Sequence, residues 1–124
     1  MRGVHAELRS LDSADAPEGL AAWQPADPED FAVQVGALVG PAGEEGGELF
    51  YFTVCSARWL GRNAPPKGFA FMHGHVLLPH WNAEIVERAI ADLCRRTEGD
   101  DWPEVAEKLS RYADWEFADY REAQ

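Results

Sequence analysis

Phe31, Val33, Val35, Ala37 and Val39 alternate with Ala32, Gln34, Gly36 and Leu38. Period-two alternation puts one set on each face of a β-strand. Gly40 to Gly47 then supplies four glycines, Pro41 and the pair Glu44 and Glu45. Glu48 to Cys55 follows, with Leu49, Phe50, Tyr51, Phe52, Thr53 and Val54, residues that favour a pleated, half-buried surface. The two runs therefore predict an antiparallel hairpin with a long acidic tip. The tip is not a phosphate cradle, because no Gly-Lys-Ser/Thr follows its glycines and no helix opens after them.

The rest of the chain must pack on this hairpin. Val4, Ala6 and Leu8 alternate with His5, Glu7 and Arg9, which predicts a short strand. Asp12 to Asp30, with Pro17, Pro25 and Pro28, reads as an irregular loop, with Trp23 either pinning it to the core, the favoured reading, or contacting a partner. Trp59 and Leu60 close the hairpin section, and Gly61 to Gly68 reads as a loop. Phe69 to Leu78 reads as another strand, stopped by Pro79. The period then changes. Asn82 is a good N-cap, and Ile85, Ala89, Leu93 and Val86, Ile90, Cys94 recur at helical spacing. A helix is expected over 83–98, with Gly99 to end it. Asp101-Trp102-Pro103-Glu104 opens a second helix as a capping box. Trp102, Val105, Ala106, Leu109 and Tyr112 share one face, while Glu104 with Lys108 and Glu107 with Arg111 pair on the other. Trp115 and Phe117 alternate with Glu116 and Ala118, which predicts a short final strand or an extended tail packed on the sheet, with both aromatics in the core. Strands followed by helices give an α+β fold: an antiparallel sheet of about four to five strands with two C-terminal helices packed on one face.

A chain of 124 residues fits one domain, 1–124, and buries about two thirds of its surface on folding. That supplies a core without disulfides or a structural metal. Cys55 and Cys94 form no CxxC pair and lie in apolar stretches, so both are expected as reduced core thiols. No apolar run is long enough to span a bilayer, and the first residues carry charges where a secretory signal is apolar. A cytoplasmic protein is expected.

Net charge is −11. Such a field opposes nucleic acid and anionic membrane and attracts a basic protein. The charge is unevenly placed. Ser10 to Ala57 contains no Lys or Arg and nine acids: Asp12, Asp15, Glu18, Asp27, Glu29, Asp30, Glu44, Glu45 and Glu48. Arg58, Arg62 and Lys67 then arrive with no acid between them.

Motifs for chemistry are sparse. His73 and His75 have i, i+2 spacing, which on a strand puts two imidazoles on one face, and His80 is near. The spacing is loose, and solvated or hydrogen-bonded histidines account for it better. Cys55 and Ser56 follow a strand without any nucleophile-elbow or thiol-protease pattern, so no catalytic residue is assigned. Glu44 and Glu45 sit on a hydrated tip, where little shifts a carboxyl pKa. A protein-binding surface is what remains. Its candidates are Asp27, Glu29 and Asp30 before the hairpin, Glu44, Glu45 and Glu48 at its tip, and Glu116, Asp119 and Tyr120 near the end. The first two clusters lie at opposite ends of one strand, on the order of 30 Å apart.

Several features occur together. The strand 31–40 runs into Pro41-x-Gly43-x-x-Gly46, and an aromatic strand ends near Trp59-Leu60. Trp102 with Leu109-Ser110-Arg111 precedes the closing Trp115-Glu116-Phe117-x-Asp119-Tyr120. In this combination the chain resembles the immunity protein 8 family of bacterial polymorphic toxin systems, from about Glu7 to Arg121. Ala118 departs from the acid the family tends to carry there, and the proline-rich loop 61–68 has no clear counterpart. The resemblance implies a protein made beside a secreted toxin, which protects the producing cell by binding that toxin. It also implies no catalysis and no cofactor. The acidity fits a cognate toxin that is basic, such as a nuclease. Two other readings are an adaptor or regulatory module with an ordinary cellular partner, and a small metal-dependent enzyme using His73 and His75.

Overall fold

The structure is a computed structural model and describes residues 3–116. The chain forms β1 (Val4–Asp12), one 3-10 turn (Leu20–Ala22), β2 (Ala32–Pro41), β3 (Glu48–Cys55) and α1 (Ala57–Arg62). It continues with β4 (His75–Leu77), α2 (Ala83–Arg95), β5 (Glu98–Gly99), α3 (Trp102–Leu109) and β6 (Asp114–Trp115). One six-stranded sheet runs β4-β3-β2-β1-β5, with β6 also paired to β3. The fold is α+β, with α2 and α3 packed against the sheet through β1.

The expected hairpin forms in one unbroken register, from Ala32 opposite Cys55 to Val39 opposite Glu48. Opposed residues share a face. Val33, Val35, Ala37 and Val39 are thus buried together with Phe50, Phe52 and Val54. α2 contributes Val86, Ile90 and Cys94 to this layer, and α3 contributes Val105, Ala106 and Leu109. The other face carries Gln34, Gly36, Leu38, Leu49, Tyr51 and Thr53.

β1 is longer than expected because it contains a register shift. Leu8 pairs with Val39, but Ser10 pairs with Leu38, which leaves Arg9 as the extra residue. The bulge reverses the alternation, so Leu8 and Leu11 both turn to the core side. Arg9 bends over the hairpin tip, where its guanidinium donates to the carbonyls of Pro41 (2.8 Å) and Glu44. Gly40 lies beneath it. A Cβ there would stand 2.1 Å from the Gly46 carbonyl oxygen, so the tip closes only over a glycine.

Four details differ from the sequence expectation. Only His75–Leu77 of the expected strand Phe69–Leu78 is a strand, and it runs parallel to β3. The outer edge of β3 is shared: β6 pairs with Phe50 and Tyr51, and β4 with Thr53 to Cys55. Gly74, at φ 75°, turns the chain just before that short pairing begins. Ala57–Arg62, expected as strand end and loop, is a helix because Ser56 caps it. α2 stops at Arg95 rather than near 98. The Thr97 hydroxyl donates to the Leu93 carbonyl at 2.7 Å, and Glu98 and Gly99 leave to pair with His5 and Val4. Finally, α3 ends at Leu109, and Tyr112 beyond it is 58 % exposed.

Other expectations hold. Trp23 meets Trp81 edge-on at 4.8 Å, and Trp81 meets Phe31 at 5.5 Å, which ties the long loop to the core. Asp101 caps α3 through the Glu104 N–H at 3.0 Å, while the Glu104 carboxylate accepts from the N–H of Asp100. Trp115 stacks on Phe50 at 6.0 Å. Phe117 lies outside the described residues.

Candidate functional site

The acids proposed from sequence occupy different environments. Asp30 receives Arg62 on both oxygens at 2.8 Å, and its side chain is only 15 % exposed. The Arg62 hydrogen bonds hold its carboxyl below the usual carboxylate range. Asp27 and Glu29 face Arg58 at 3.7 and 3.4 Å. α1 therefore brings two arginines onto the cluster ahead of the hairpin, and its charge is largely balanced there. The Asp27 carboxylate also accepts the N–H of Glu29 at 2.9 Å, in a local turn.

At the opposite end of β2, Glu44 and Glu45 stand exposed on the tip, and no cation pairs with either side chain among the described residues. Glu48 has a different role. It sits opposite Val39 on the helix-covered face. Its carboxylate accepts the indole N–H of Trp115 at 2.7 Å and that of Trp102 at 3.2 Å. Glu116 likewise works within the fold: its carboxylate accepts the Leu49 N–H at 2.8 Å, and its own N–H donates to the Leu49 carbonyl. Asp119 and Tyr120 lie outside the described residues.

The histidines do not share a strand face. His73 precedes the Gly74 turn, with Nε2 3.2 Å from the Ala113 carbonyl and 3.4 Å from the Asp114 carboxylate. His75 Nδ1 lies 2.8 Å from the His73 carbonyl, and His80 Nδ1 lies 3.1 Å from that of Trp81. Among the described residues, no three His, Cys, Asp or Glu side chains gather where they would hold a metal ion.

Cys55 and Cys94 are buried and unbridged. Burial pushes the Cys94 thiol up to about 11 and raises Cys55 as well. Neither has the exposed, electropositive setting that makes a thiolate reactive. Ser56 is fully buried, and its hydroxyl oxygen accepts the N–H groups of Phe31 (3.1 Å) and Trp59 (3.2 Å). It ties the start of β2 to the start of α1.

Among the described residues, two open surfaces stand out for their chemistry. One is a depression of about 610 Å³ on the uncovered sheet face, between Asp12–Asp15 and Gln34, Leu49 and Tyr51. Its carboxylates and phenol suit a cationic group. The other is the loop leading into β4, where Phe69, Phe71 and Met72 are exposed, with Leu77 exposed at the end of β4 itself. This loop falls within Phe69–Leu78, which the sequence suggests as a strand, so its exposure was not expected. A signal was present all the same: no Asp or Glu occurs from Leu49 to Ala83.

Fold and surface thus define a small α+β protein with a mixed sheet, helices on one face, and acidic and aromatic features on separate parts of its surface. The family model for immunity protein 8 matches residues 6–120, and the chain belongs to that family. Membership supports an immunity function and implies binding to a cognate toxin. No curated protein matches the chain, and no solved structure does. Among the described residues, no helix is long and apolar enough to cross a membrane.

Proposed function

We propose that this protein acts in the cytoplasm as a single-domain immunity protein, binding a cognate secreted bacterial toxin domain and neutralising it by covering its working surface. The observation that carries this reading is the family match over nearly the whole chain. Charge supports the finer part, a basic toxin such as a nuclease. The net charge of −11 would accelerate encounter with a cationic partner, and Glu44 and Glu45 are free to contribute. Asp27, Glu29 and Asp30 contribute less, because Arg58 and Arg62 already face them. Inhibition by occlusion needs an interface of roughly 800 Å² on each partner and no catalytic group or cofactor.

The test is co-expression with the toxin domain encoded beside it. The chain is expected to restore growth and to co-purify with the toxin. Growth arrest that persists, with no complex recovered, rejects the proposal.

A further inference from the structure

Leu49 to Ala83 is free of Asp and Glu in a chain whose net charge is −11. The structure buries Phe50, Phe52, Val54, Leu78 and Trp81 of that stretch but leaves Phe69, Phe71 and Met72 exposed on the loop before β4, and Leu77 exposed at the end of β4. Phe71 is 94 % exposed, Phe69 59 %, Leu77 58 % and Met72 43 %. Single exposed apolar residues are ordinary, but Phe69 and Phe71 are both exposed and meet each other ring to ring, and an exposed aromatic pair of that kind calls for a partner.

The loop is built to hold this shape. Gly68, at φ 95°, closes a turn whose N–H reaches the Pro65 carbonyl at 3.0 Å. Lys67 Nζ stands 4.8 Å above the Phe69 ring, and Phe69 meets Phe71 edge-on at 6.3 Å. At the far end, the Gly74 carbonyl accepts the Thr53 N–H at 2.8 Å, which fastens the loop to β3. The rings are thus presented outward in a defined arrangement, which lowers the ordering cost of docking.

Charge selects the occupant. A second copy of the chain would bring a further −11 to the encounter, so self-pairing opposes like charges. A basic partner is drawn by the molecule as a whole. The segment 67–72 carries no carboxylate of its own to be stripped of water on docking, and the exposed Asp114 stands beside His73 at the loop's far end, where it can meet a cation at the rim. A charge-depleted aromatic centre with ionised groups around it is the anatomy of a protein interface, and aromatic residues carry most of the energy there. We infer that the loop 67–74 is the anchor that holds the toxin, with Phe69 and Phe71 entering an apolar cleft on a partner of net positive charge. This rests on the function proposed above.

Binding kinetics of the purified toxin domain test it, using the full chain and the variants Phe69→Ala, Phe71→Ala and Phe71→Glu, each confirmed folded by circular dichroism. Phe71→Ala is expected to weaken binding about thirty-fold, mainly through faster dissociation, and Phe71→Glu to weaken it further. Glu44→Gln combined with Glu45→Gln should slow association and leave dissociation nearly unchanged. If the parent chain binds and the Phe69 and Phe71 variants bind equally well, the inference falls while the immunity function stands. If the parent chain does not bind, both fall. A free chain that sediments as a dimer, and becomes a monomer with Phe71→Glu, assigns the loop to a second copy and also overturns the inference.

Discussion

The Glu48 carboxylate accepts both indole N–H groups, Trp115 at 2.7 Å and Trp102 at 3.2 Å, and so links β3 to α3 and β6. Glu48→Ala removes that shared acceptor and is predicted to cost about 2 kcal/mol in denaturant unfolding. Glu48→Gln keeps one accepting oxygen and should cost less. Sequence spacing grouped Glu48 with the tip acids because its partners lie 54 and 67 residues away. Nothing local announced them. Ser56 presents the same difficulty, since one of its two bonds reaches back 25 residues to Phe31. Ser56→Ala leaves the buried Phe31 N–H without its acceptor and uncaps α1, a predicted loss of about 2–3 kcal/mol by the same measurement. The thiols give a pH prediction. Cys94 titrates at about 11 in the folded chain against an ordinary value of 9.0, because burial disfavours the thiolate. Between those values the unfolded chain has released a proton that the folded chain still binds. Stability should therefore fall as pH rises from about 9 to 11 in alkaline denaturation, and Cys94→Ala should flatten that fall.

Elements whose signals are local were legible, and those set by distant pairing were not. The alternation in β2 and β3, the Asn82 cap of α2 and the Asp101 cap of α3 all sit within a few residues of what they control. The end of α2 depends on β1 being present to receive Glu98 and Gly99. The brevity of β4 depends on β6 occupying the rest of the β3 edge. The parallel direction of β4 follows from the chain's route through α1 and the aromatic loop, which periodicity does not record. The hairpin tip tests the local account most sharply. Gly40→Ala places a methyl against the Gly46 carbonyl and the Arg9 guanidinium, and it should cost about 2 kcal/mol with loss of hydrogen-exchange protection in residues 39–48. Protection that persists there would show that the tip accommodates a side chain.

For the molecule as a whole, charge and contact are divided between different regions. The acids of the tip and the uncovered sheet face supply the long-range field, while an acid-free aromatic loop stands ready for close contact. The sequence showed the first half of this arrangement, and the resemblance to immunity proteins was carried by motifs spread along the chain. The loop escaped notice because exposure is a property of the folded surface, and an apolar run before Pro79 reads as a strand whether or not a neighbour covers it. If the toxin is basic, its association rate should fall by about tenfold or more as ionic strength rises, and dissociation should change little. The central claim is that this protein silences a toxin by binding it, and titrating it into a fixed amount of the purified toxin domain while recording residual toxin activity tests that claim most directly. Activity should decline steeply and be abolished near one equivalent. Activity that persists undiminished in large excess of the protein would contradict the claim.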